Sequence, residues 1–180
     1  MTILVELVQH SPRWADAAER DAARVRRALA GSCHVIHHVG STSVPGMASV
    51  PVIDLLAEMR DLAALQAARL RLLAHGFIEQ AQAQGHRRTY HVDDIVTRRR
   101  QVELHCYPAG HPEAEQLVAL FAYLRAHPEA AQAYQALKHE GRARYAANPD
   151  GYAWAKQAWV DGVMRAALDF WRALPVRELA

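Results

Sequence analysis

Cysteine is scarce in this chain. Only Cys33 and Cys106 occur in 180 residues, which excludes a disulfide framework and any CxxC pair. Neither sign of charge dominates: the formal net charge is +2, too mild to argue for a nucleic-acid partner. No apolar run approaches the roughly 20 residues of a membrane span, so no membrane partner is expected. The opening MTILVELVQH is short and carries Glu6, unlike a secretory signal. Together these absences point to a reducing cytoplasm. Repeats and low-complexity stretches are missing, and no helix candidate carries the HExxH spacing of a zinc enzyme.

What is present is an ordinary globular composition, 51% hydrophobic and 22% charged. A chain of this length buries about 70% of its unfolded surface, enough for a core without staples. One domain over residues 1–180 is expected, about 1–110 an α/β core and about 111–180 helical. Residues 3–9 suit a short strand or arm. Ser11-Pro12 reads as a helix start, with Ser11 the cap and Pro12 the first helical position. Trp14, Ala17, Ala18, Ala22, Val25 and Leu29 form one apolar stripe up to Gly31. Strands are expected at 33–39 and 51–58, the second nearly all apolar and therefore central. A helix capped by Asp61 runs to about His75. Further strands are expected at 77–82, 87–92 and 100–107. Helices over about 113–126, 128–146 and 152–173 follow, with Asn148-Pro149-Asp150-Gly151 read as a turn. Trp154, Ala158, Val163, Leu168 and Trp171 are expected to pack the last helix. All four tryptophans, Trp14 and Trp159 included, read as core or interface anchors.

The informative stretch is HHVGSTSVPGMASVPVIDLL. A strand ends, Gly40 permits a tight turn, and Ser41, Thr42 and Ser43 supply hydroxyls. Their hydroxyls and backbone amides suit an anion-holding concavity. Asp54 is the one charge in an apolar strand. A carboxylate there is costly unless paired, metal-bound or at an exposed end. Phosphoryl and nucleotidyl transfer need this combination, donors for phosphate oxygens and carboxylates for metal ions. The same pattern also admits a plain structural turn followed by a paired acid.

The segment Val39-Gly40-Ser41-Thr42-Ser43-Val44-Pro45-Gly46-Met47, with Pro51-Val52-Ile53-Asp54, resembles the signature of the GrpB-like (UPF0157) family. Pro12 and Trp14 fit that family's start. Tyr123-Leu124-Arg125, His127-Pro128-Glu129, Tyr134, Leu137-Lys138, Tyr145, Tyr152 and Lys156 fit its helical tail. The resemblance implies an α/β (α+β) fold: a nucleotidyltransferase-like mixed β-sheet flanked by helices, with a C-terminal helical segment. It implies that Gly40 and Ser41 hold phosphates and that Asp54 is the first metal-binding carboxylate, with Mg²⁺ or Mn²⁺ as cofactor. The expected partner is a nucleotide or another phosphate-bearing small molecule.

The chain departs from the pattern in places. The second acid of active nucleotidyltransferases is Leu56 here, and Glu58 lies about 6.5 Å farther along the strand. The family's Lys before the Asp54 strand is Val50, and its Arg-Asp pair before Tyr123 is Phe121-Ala122. Glu103 and His105 share a strand face by period two and are candidates to complete a catalytic set with Asp54. His37 and Glu103 replace the family's Glu and His, which suggests an acid–imidazole pair on neighbouring strands. Asp54, His38 and His105 are a candidate transition-metal set, with hydrogen-bonded structural histidines as the other reading. Arg88 or Lys138 is expected to balance charge in the cleft, and Lys156 is a second lysine to examine there. Arg98-Arg99-Arg100 reads as a solvated basic run. Two functions therefore lead, with a metal-dependent enzyme of unrelated class using the histidines as a third. One is metal-dependent nucleotidyl transfer or nucleotide binding. The other is a non-catalytic accessory domain, a degenerate nucleotidyltransferase linked to coenzyme A metabolism, since such relatives occur fused to dephospho-CoA kinase.

Overall fold

The structure, a computed structural model, describes residues 6–60, 62–80 and 86–175. The expectations at residues 3–5, Asp61 and 81–82 lie outside them. Helix α1 (Arg13–Leu29) buries Ala18, Ala22, Val25, Ala28 and Leu29, the apolar stripe of the sequence. It starts one residue later than expected. Pro12 is the cap and no side chain caps the helix; the Ser11 carbonyl accepts from the Trp14 amide at 3.1 Å. Ala30 and Gly31, both at positive φ, end it.

Strands β1 (Cys33–Val39), β2 (Ile53–Met59), β3 (Ile78–Glu79), β4 (Arg88–Asp93) and β5 (Arg100–Pro108) form one sheet in the order β1-β2-β5-β4-β3. The β2–β5 pair is parallel and the others are antiparallel, so the sheet is mixed. β2 is an interior strand, as its apolar run predicts. A short 3₁₀ turn (Ser41–Ser43) follows β1, and helix α2 (Leu62–Ala74) links β2 to β3. An isolated bridge from Val8 to Ser49 ties down the N-terminal arm.

Helices α3 (Pro112–Ala126), α4 (Pro128–Tyr145) and α5 (Pro149–Ala173) complete the chain. The Asn148-Pro149-Asp150-Gly151 stretch is a helix start rather than a turn. Asn148 caps α5 by accepting from the Gly151 amide at 3.0 Å, and Pro149 occupies the first helical position.

The two sheet faces carry separate cores. Ile53, Leu55, Ala57, Leu104 and Cys106 pack with α1 and α2. Val39, Leu56 and Tyr107 pack with Val44, Met47 and residues of α3 and α4. The α5 side of that core is Trp159, Val160, Val163, Met164 and Trp171. Trp154, expected as an anchor, is 74% exposed, and Ala158 is exposed as well. Both line an open groove beside Leu137 of α4 instead of joining the packed core.

Candidate functional site

Strand register settles which residues meet. In-register partners share a face, and one row runs Val39, Asp54, Glu103, His91, Ile78 across all five strands. The next row runs His37, Leu56, His105, Thr89. Asp54, Glu103 and His105 therefore share the face toward the helical tail, with His105 one row away from Asp54.

The bend after β1 approaches Asp54 closely. Gly40 has φ +72, and a methyl group at its Cα would overlap the Asp54 carboxylate. Glycine is required on both counts. The carboxylate thus points at the bend, retains partial exposure, and receives no hydrogen bond among the described residues. Burial, reinforced by Glu103, pushes its pKa up to about 7, with Lys156, Lys138 and Arg100 acting in the opposite sense.

Within the bend the hydroxyls divide their work. Ser43 Oγ donates to the Gly40 carbonyl at 2.7 Å and accepts from Arg125 Nη1 at 3.1 Å. Thr42 is buried, and its Oγ1 donates to the Val52 carbonyl at 3.1 Å. That bond fastens the bend to the start of β2 and commits the hydroxyl proton, so Thr42 does not present it to a ligand. Ser41 keeps its hydroxyl free of hydrogen bonds among the described residues.

Opposite Asp54 stand two helical lysines. Lys138 on α4 is 2% exposed, and its ammonium donates to the Ala48 carbonyl at 2.5 Å. Burial and the neighbouring Lys156 bring its pKa down to about 7, against the pull of Asp54. Burial also lowers the Lys156 pKa, again opposed by Asp54. Lys156 Nζ lies 4.1 Å from the centre of the Tyr152 ring, a cation–π contact. Burial, then Tyr152 and then Asp54, raise the Tyr134 phenol pKa. One half-buried acid, two cations and two phenols thus converge from β2, α4 and α5.

Several expected site residues are elsewhere. His38 is in register with Leu55, a residue of the α1–α2 core, so it occupies the face opposite Asp54. Its Nε2 contacts Thr42 Oγ1 at 3.0 Å, and burial, then Arg125, lower its pKa to about 4. The Asp54–His38–His105 metal set is therefore not assembled. Among the described residues no three His, Cys, Asp or Glu side chains form a metal-holding group. Arg88 is in register with Cys106 and stands on that same opposite face, so it does not balance charge at Asp54. Arg100 instead reaches Glu103 at 3.5 Å and Asp93 at 2.7 Å, and Arg99 pairs with Glu6 at 2.9 Å. Gln80 Nε2 donates to Glu103 at 3.4 Å. His37 and Glu103 are kept apart by β2, which lies between their strands. The acid that His37 meets is Glu58, at 3.3 Å, and Glu58 also accepts from the Gly110 amide. His105 is held below its ordinary pKa mainly by burial, and its Nδ1 is buried without a partner. Leu56 is fully buried among apolar neighbours.

Sequence reading left Arg125, Tyr134 and Tyr152 without a role. A signal for the last two was present. Tyr134-x-x-x-Lys138 and Tyr152-x-x-x-Lys156 repeat one spacing on consecutive helices, and residues four apart share a helix face.

Residues 4–166 match the family model described as GrpB protein. The chain belongs to the GrpB family. It is 30% identical over 166 residues to UPF0157 protein YqkA of Bacillus subtilis, covering 87% of this chain and 45% of that protein. A dephospho-CoA kinase of Mycolicibacterium paratuberculosis is 27% identical over 190 residues, with 92% of this chain and 46% of that protein covered. The GrpB chain thus spans about half the length of these two relatives. The crystal structure of conserved protein GrpB from Enterococcus faecalis superposes with a TM-score of 0.83 at 24% identity, covering 92% of this chain and 99% of that one. The Cid1 poly(U) polymerase with Mg 3′-dATP bound gives 0.58 at 11% identity, covering 82% and 49%. The fold is therefore nucleotidyltransferase-like, as the GSTSVPG segment implies. No described helix is long and apolar enough to cross a membrane.

Proposed function

We propose that this GrpB protein binds a nucleotide or another phosphate-bearing ligand, together with a divalent metal, between the Gly40 bend and the α4–α5 lysines. The observation that carries this reading is the Asp54 carboxylate packed on Gly40, opposite the buried Lys138 and the half-buried Lys156. A half-buried acid without hydrogen-bond donors is costly, and a cation at its oxygens relieves that cost. Buried amines are costly in the same way, and phosphate oxygens relieve them. Ser41 donates its hydroxyl to a phosphate oxygen. Lys138, Lys156 and the Arg125–Ser43 pair balance phosphate charge.

The donor set suits one Mg²⁺ or Mn²⁺ that arrives with the ligand. Such an ion keeps several waters and takes one or two carboxylates plus phosphate oxygens. Asp54 would hold it, with Glu103 as its in-register neighbour. When bound, the ion would neutralise charge on the phosphates. A pair of ions sharing a second strand carboxylate does not fit, because Leu56 occupies that position.

Leu56 also favours a second reading, a non-catalytic ligand-binding or accessory role. The similarity to a dephospho-CoA kinase is consistent with it. Both readings place the ligand in the same cleft and differ in whether a group is transferred.

A thermal-shift screen of nucleoside triphosphates with Mg²⁺ and Mn²⁺ tests the binding claim. Ligand at 100 times its dissociation constant adds about 2.7 kcal/mol. A metal-dependent rise in Tm is expected for the wild type and is lost in Asp54→Ala. An equal rise in Asp54→Ala rules out the site. Incubation with labelled nucleotide and analysis for released pyrophosphate then separates transfer from binding.

A further inference from the structure

Tyr152 is 7% exposed, and its hydroxyl is buried with no hydrogen-bond partner. Native structures seldom leave such a group unsatisfied, and each case calls for a reason. Its surroundings hold the ring firmly. A Cβ at Gly141 would meet ring carbon Cδ2 at 3.2 Å, so the absence of a side chain there lets the ring seat a few tenths of an ångström closer to α4. Glycine inside a helix weakens that helix, so this position gives up stability where the ring sits. On the other side, Lys156 Nζ lies 4.1 Å from the ring centre. Gly141 is three residues from Lys138, hence on the same face of α4. The unpartnered hydroxyl therefore belongs to the group formed by Lys138, Lys156, Tyr134 and Asp54.

We propose that Tyr152 is a ligand-binding residue whose hydroxyl donates to an oxygen of the phosphoanion held by Lys138 and Lys156. This inference rests on the phosphoanion reading above and adds a donor to it. Burial raises the Tyr152 pKa to about 12, so the phenol keeps its proton at neutral pH and acts as a donor. Gly141 is a positioning residue, acting through the ring it admits. The buried Nδ1 atoms of His10, His91 and His105 also lack partners.

The experiment is a calorimetric titration of inorganic pyrophosphate with Mg²⁺ into the full chain, with apo Tm measured alongside. Tyr152→Phe keeps the ring, the packing and the cation–π contact and removes only the hydroxyl. It is expected to weaken pyrophosphate binding by about tenfold, since the lost bond runs to a charged group, while the apo Tm stays level or rises. Gly141→Ala is expected to raise the apo Tm and still weaken binding several-fold, by displacing the ring a few tenths of an ångström. Wild-type affinity in Tyr152→Phe overturns the inference and leaves the phosphoanion reading intact. A clear fall in apo Tm for Tyr152→Phe also overturns it, because the hydroxyl would then be paired within the protein. Failure of the wild type to bind pyrophosphate overturns both readings.

Discussion

At Gly40 the fit between the bend and β2 depends on the absence of a side chain. Gly40→Ala meets two penalties, a positive φ and overlap with the Asp54 carboxylate. Its expected cost is about 2–5 kcal/mol, from backbone strain and overpacking together. In the Gly40→Ala/Asp54→Ala double variant the clash with the carboxylate is gone and only the residue-54 Cβ remains close, at 2.8 Å, so urea denaturation should return part of that loss. Strict additivity would show that the two residues do not touch. Asp54 also makes stability depend on pH. Its carboxyl is raised from 3.8 to about 7, so over that range the folded state binds a proton that the unfolded chain has released. Stability attributable to this group is complete below about pH 4 and is lost as pH rises through about 7. Asp54→Asn should flatten that decline and exceed the wild type in stability at pH 8. Parallel pH profiles for the two proteins would contradict the raised pKa of this carboxyl. The lone charge in an apolar strand made Asp54 legible in the sequence. Its contact with Gly40 was not, since register and bend geometry bring the two together across 14 positions.

The elements that carry the site differ in how openly the sequence announces them. The α1 stripe and the apolar β2 run are periodic, and both elements form where periodicity places them. At α5 the local signals conflict. Asn148-Pro149-Asp150-Gly151 has turn composition, yet Asn and Pro in sequence are also the N-cap and first position of a helix. The helix prevails because Trp159, Val163 and Trp171 bury its face against α3 and α4. That start sets Tyr152 and Lys156 in the first two turns. Asn148→Ala is therefore expected to cost about 1 kcal/mol of stability and to weaken metal–nucleotide binding as well. A stability loss with unchanged binding would show that the start of α5 does not position the site. On α4, Lys138→Met exchanges a buried amine for an apolar chain of similar length. Stability should fall by about 1–3 kcal/mol, because the buried Ala48 carbonyl loses its donor, while the nucleotide-induced rise in Tm disappears. A retained rise would remove Lys138 from the site.

Across the whole molecule, the order of strands decided what the sequence could not. Period-two alternation puts Glu103 and His105 on one face, and the structure agrees. It cannot tell which strand lies beside which. His37 and Glu103 read as a pair but are separated by β2, and His38 and Arg88 fall on the opposite face from Asp54. The His38 placement depends on the β1–β2 register and the other two on the parallel β2–β5 pairing, long-range choices invisible to local pattern. The helical tail contributes as much as the sheet: α3 brings Arg125 to Ser43 of the bend, and without α4 and α5 the Asp54 carboxylate would face neither lysine. The most direct test of that arrangement is a crystal of the full chain soaked with Mn²⁺ and a nucleoside triphosphate, read by anomalous diffraction. The account predicts a manganese peak about 2.1 Å from an Asp54 oxygen, with phosphate density reaching Lys138 and Lys156. Nucleotide and manganese bound elsewhere, such as the roughly 360 Å³ groove lined by Leu137, Trp154 and Ala158, with Asp54 untouched, would contradict it.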